Sequence, residues 1–73
     1  MVTYNEAKEI ALNLNKKVNT CFEYKKAYRF FDKDFDGEGD AGVIVLKEDG
    51  RAINWMAFIM NYHPEKDPKE IEF

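Results

Sequence analysis

The 73-residue sequence predicts an α+β fold: an N-terminal helix packed on a small antiparallel sheet of three to four strands, with a short second helix after the last hairpin. Three observations carry this. Ala7, Ile10, Ala11 and Leu14 recur at helical spacing. The middle of the chain is dominated by β-branched and aromatic residues, the composition of strands. Asp49-Gly50 then separates two apolar runs, the commonest signature of a tight hairpin.

The first helix starts at a capping box. The Thr3 hydroxyl is placed to accept from the amide three residues on, and Glu6 to reach back to the cap. Glu6, Lys8, Glu9 and Asn13 fall opposite the apolar stripe, and the helix runs out near Asn15 to Lys17. In VNTCFEYKKAYRFF two strands are expected, Asn19–Glu23 and Ala27–Asp32, with Lys25-Lys26 at the turn between them. GVIVLKEDGRAINW gives the hairpin, with Val43 to Leu46 as its buried strand and Arg51 to Asn54 returning. Asn54 caps a short helix with Trp55, Phe58, Ile59 and Tyr62 at helical spacing, and Pro64 ends it. Residues 64–73 either fray or dock as a short edge strand. With no repeat and no linker, residues 1–73 form one domain, its sheet covered by the helix on one face.

Composition excludes several chemistries. The net charge is −3, from 11 basic and 14 acidic residues, so the basic face that nucleic acid requires is not expected. Lys16-Lys17 and Lys25-Lys26 read as solvated pairs. No apolar run approaches the roughly 20 residues that span a bilayer. The opening residues lack a signal-peptide pattern, and the expected compartment is the cytoplasm. Cys21 is the only cysteine, which rules out an internal disulfide and fits a reducing environment. The sequence contains no serine and one histidine, which removes serine-hydrolase chemistry and zinc sites built from several Cys and His.

Three constellations bear on chemistry. DKDFDGEGDAGV begins like a calcium loop, with Asp32, Asp34, Asp36, Glu38 and Asp40 at alternate positions and Gly37 at the sixth. Val43 stands where a bidentate glutamate is required, and strand follows where a helix is required. The segment therefore reads as a connection, with Asp32, Asp34, Asp36 and Asp40 leaving at most a weak divalent-cation site; no cofactor is expected. Cys21 with His63 is the single possible thiol–imidazole pair, and a small buried thiol is the simpler reading. Glu23 with Asp32 or Asp34 has no spacing that demands acid–base work, and a partner among Lys25, Lys26 and Arg29 is expected for Glu23. No enzymatic activity is expected. The aromatic set exceeds what one helix covers, and an exposed remainder marks an interface. Contact candidates are Tyr24, Tyr28, Phe35, Asp36, Glu38, Trp55, Phe58 and Tyr62, serving a protein partner or homodimerisation.

CFEYKKAYRFFDKD followed by GVIVLKEDGRAINWMAFI resembles the small bacterial proteins grouped as immunity-protein-35-like or YrhB-like. The matching residues are Ala27, Tyr28, Phe30, Gly42, Val45, Lys47 and Gly50, within roughly residues 4–60. The loop here departs from that family's pattern by being shorter and more acidic. The resemblance implies a non-catalytic cytoplasmic protein that binds and neutralises a toxin. The acidic loop would suit a basic toxin domain through electrostatic steering.

Overall fold

The structure is a computed structural model that describes residues 1–33 and 42–73. Its elements in chain order are α1 (Tyr4–Leu14), β1 (Thr20–Glu23), β2 (Ala27–Phe31), β3 (Val43–Leu46), β4 (Ala52–Ile53), α2 (Trp55–Tyr62) and β5 (Lys69–Ile71). The strands form one five-stranded antiparallel sheet in the order β4-β3-β2-β1-β5. The fold class is the expected one, with one strand more. The tail docks: Cys21 pairs with Ile71 and Glu23 with Lys69, so β5 closes the edge beyond β1.

The capping box forms as read. The Thr3 hydroxyl accepts from the Glu6 amide at 3.2 Å, and the Glu6 carboxylate accepts from the Thr3 amide at 3.1 Å. Ala7 and Ala11 are fully buried, and such small residues let the helix lie close on the sheet. Leu14 is not part of the buried stripe; at the last helical position it is 61 % exposed. Asn15 is the C-cap.

The central strand β2 sorts the core. Its residues alternate between faces, as strand geometry requires. Tyr28 and Phe30 join Cys21, Val45, Val18, Ala7 and Ala11 under α1. Ala27 joins Tyr24, Ile44, Leu46 and Phe58 under α2. The sheet is therefore covered on two faces, where one was expected. The chain after β4 must cross the sheet to reach β5 beside β1, and α2 lies on that crossing.

The α1 face is also locked at its far edge. Phe73 meets Phe30 edge-on with centroids 6.2 Å apart, and Lys8 Nζ donates to the Phe73 carbonyl at 2.8 Å. Glu23 takes Lys47 as its partner at 2.6 Å, not Lys25, Lys26 or Arg29. The cause is sidedness. Glu23 falls on the same face as Cys21, whereas Arg29 projects from the opposite face.

Gly50 closes the β3–β4 hairpin at φ 75°, in the left-handed region. Its amide donates to the Leu46 carbonyl at 2.9 Å. A Cβ at this position would stand 3.0 Å from Val2 Cγ2 and 3.4 Å from Ile10 Cδ1. Gly50→Ala is expected to destabilise the fold by about 1–2 kcal/mol, from the left-handed backbone together with the contact on α1. Urea denaturation measures this; an unchanged midpoint would contradict the packing of the N-terminal segment on the hairpin.

Candidate functional site

The open surface of interest lies on the α2 face. Strand alternation puts Arg29 and Phe31 of β2 there, with Phe22 directly across from Arg29 on β1. Asn54 fixes the start of α2, its side-chain oxygen accepting from the Ala57 amide at 2.7 Å. This holds Trp55 in the first turn, where its ring meets the guanidinium of Arg29 at 4.2 Å. Phe31 lies against the same guanidinium at 5.0 Å. At the other end of α2, His63 turns the chain and Pro64 to Pro68 lead it back to β5. Between these walls runs an open groove of about 630 Å³, with Arg29, Phe22, Tyr24, Trp55, Ile59 and Lys66 among its lining.

Arg29 is the anomaly of this surface. Its Nε is buried and has no hydrogen-bond partner among the described residues. Leaving a buried donor unmet costs about 1–3 kcal/mol, so folded proteins seldom tolerate it. The two ring contacts offset part of that cost. Glu65, the acidic residue of the groove, has an oxygen engaged elsewhere: Oε2 accepts from the Lys25 amide at 2.9 Å.

The second feature is α2 itself. Phe58 is its buried anchor, T-shaped against Tyr24 at 5.3 Å and tilted against Tyr62 at 5.6 Å. The opposite side is also apolar. Met56 is 63 % exposed, Met60 67 % and Ile59 38 %. Spacing alone had put Ile59 with the inner stripe of Trp55, Phe58 and Tyr62, and the structure turns it to the groove rim.

The contact candidates separate accordingly. Trp55 and Tyr62 are half-buried and line open depressions. Tyr24, Tyr28 and Phe58 are spent on the two cores and present almost no surface. Phe35, Asp36 and Glu38 lie outside the described residues, as do Asp34 and Asp40. Asp32 accepts from the Asn19 amide group at 3.3 Å. Among the described residues no cluster of three or more His, Cys, Asp or Glu side chains is placed to hold a metal ion. Met56, Met60 and the setting of Arg29 were missed in sequence. The signal for the methionines was present, since WMAFIM is apolar around the whole helix rather than on one stripe. Nothing in the sequence marks Arg29 apart from other strand arginines.

Cys21 and His63 do not meet. Cys21 is fully buried in the cluster under α1, whereas His63 lines the groove on the opposite face. Burial, the largest cause, pushes the thiol from 9.0 up to about 12. Tyr4 and Tyr28 are also raised by burial. The folded state thus keeps protons that the unfolded chain releases first. The thiol's contribution to stability is complete below pH 9 and is lost as pH climbs from 9 toward 12. A urea series across that window is expected to show falling stability, and Cys21→Ala to flatten the fall; identical slopes would refute burial as its source. His63 is a C-cap in the left-handed region at φ 47°, strained for a residue with a Cβ. His63→Gly is expected to raise stability by about 1 kcal/mol, readable as a higher melting temperature.

No family model matches the chain, and neither the curated proteins nor the solved structures contain a significant match to it.

Proposed function

We propose that this domain is a non-catalytic protein-binding module whose contact surface is the outer side of α2 with the adjoining groove. One observation carries the reading: α2 buries Phe58 on one side and presents Met56, Ile59 and Met60 on the other. An amphipathic helix serving only this fold needs a polar outer side. Exposed large side chains in a contiguous set are instead the mark of an interaction site, and methionine adapts readily to a partner's shape. Trp55 supports the reading as a half-buried aromatic lining the groove, a residue type enriched among interface anchors.

The resemblance to the immunity-protein-35-like group gives the proposal its most specific form, in which the partner is a toxin domain held inactive. A basic toxin domain was suggested by the acidic loop, most of which lies outside the described residues, so the apolar helix face is the better-founded contact surface. A homodimer joined through the same helix is the second reading, favoured by the same exposed methionines.

A photo-crosslinking amino acid placed at Met60 tests this in cells that express the chain natively. A discrete adduct with one other polypeptide is expected, absent when the probe stands at exposed Glu9 on α1. An adduct of twice the chain's mass would select the homodimer. Loss of both adducts would remove the helix face as a contact surface. With the partner purified, Met56→Glu together with Met60→Glu is expected to weaken binding by about 100-fold, since each charge must be desolvated in an apolar contact.

A further inference from the structure

The groove beside α2 carries an inference about what the partner presents, and this rests on the protein-binding reading above. We infer that the groove is a carboxylate-reading slot, in which the guanidinium of Arg29 receives an acidic side chain of the partner polypeptide and the aromatic walls receive its apolar neighbours.

The guanidinium is built as a reader and not as a structural tie. It rests against Trp55 at 4.2 Å and Phe31 at 5.0 Å, contacts that hold its plane without consuming its donors. Its Nε is buried and makes no hydrogen bond, and Arg29 forms no ion pair among the described residues. A stacked guanidinium loses little freedom on meeting a carboxylate, and the remaining edge donors can bind it in the two-pronged manner that lysine cannot reproduce.

The charge around the slot agrees. The chain as a whole is at −3, yet the groove is lined by Arg29 and Lys66 against Glu65. Glu65 is turned to the Lys25 amide. On the far side of Tyr62, Lys25 and Lys26 line the next depression, so the helix is flanked by basic groups on both sides. A positive slot on an acidic protein selects an acidic occupant.

The occupant is a polypeptide because the groove is open to solvent and not an enclosed cavity. Small-molecule sites enclose most of their ligand. An open trough covers one side of a chain laid across it, and Ile59 joins this trough to the exposed Met56 and Met60. A carboxylate with apolar neighbours therefore fits the surface, with the acid in the slot and the neighbours on Trp55 and Ile59.

Trp55 is the chain's one tryptophan and forms the groove wall, so its fluorescence reports occupancy directly. The probes are the blocked pentapeptide acetyl-Ala-Leu-Glu-Leu-Ala-amide, its Gln counterpart, and free glutarate. The Glu peptide is expected to saturate the signal below about 10 mM, the range in which one charged contact with apolar support binds. The Gln peptide and glutarate are each expected to bind at least about tenfold more weakly. Arg29→Leu keeps the cover over the sheet but removes the donors, and is expected to cost the Glu peptide about tenfold while leaving the Gln peptide unchanged. Arg29→Lys keeps the charge and is expected to fall between. Circular dichroism melts establish that each variant folds, and the Arg29 Nε–Hε resonance of the wild type, expected to move with the Glu peptide alone, gives a readout that needs no variant. Equal binding of Glu and Gln peptides, or an indifferent Arg29→Leu, would overturn the slot. Glutarate binding as tightly as the Glu peptide would overturn the polypeptide occupant. Crosslinking at Met60 that persists with Arg29→Leu, while the peptides show no preference, would sink this inference and leave the helix-face reading standing.

Discussion

The alternation of β2 is the constraint on which the structure depends. Five residues place Tyr28 and Phe30 on one face and Ala27, Arg29 and Phe31 on the other, and each face then needs its own cover. A strand buried on two sides fixes register strictly, because a slip of one residue would exchange its two faces. Phe30 would leave its place among Tyr4, Tyr28 and Phe73, and Arg29 would be driven under α1 with no acceptor. Both helices and the fifth strand follow from that arrangement. The first helix supplies small residues to approach the bulky face. The second bridges the sheet and delivers the tail to the edge beside β1.

This two-sidedness also explains what could be read in the sequence and what could not. Local signals were legible. The capping box, the Asp49-Gly50 turn and the Asn54 cap each depend on groups within four residues of one another, and each formed as expected. Long-range consequences were not legible. For residues 64–73 the sequence left fraying and an edge strand as equal alternatives; Lys69 to Ile71 follow Pro68 in a charged tail, and they pair because β1 offers an open edge. The Glu23–Lys47 pair needed knowledge of the β2–β3 register, which is set by burial. Leu14 matched the helical period but, as the last residue of α1, stays 61 % exposed.

The candidate site was less legible still, and for a physical reason. Aromatic residues announce themselves by type, but their role depends on which face they fall on. Tyr28 and Phe58 carry the same signal as Trp55 in sequence, yet two are core and one lines a groove. Reading that difference requires knowing that α2 covers only part of its face. Arg29 lines the groove left beside α2, with Trp55 over its guanidinium.

That placement is costly for a domain of this size. Small domains bury a limited fraction of their surface and have little stability to spare. Leucine at position 29 would cover Phe31 and Trp55 without leaving a buried donor unmet, and an outward lysine at Met56 or Met60 would remove apolar surface from water. Neither change touches the packing under α1. Both departures from the stability optimum lie on the same side of the molecule, on one helix and the strand beneath it. Local conflicts of this kind collect at functional sites, because folding alone would not retain them. His63 adds a third, with its left-handed backbone at the C-cap of α2. Exposed apolar side chains, an unmet donor and one strained backbone position thus fall on one surface, and the proposed contact surface rests on that coincidence.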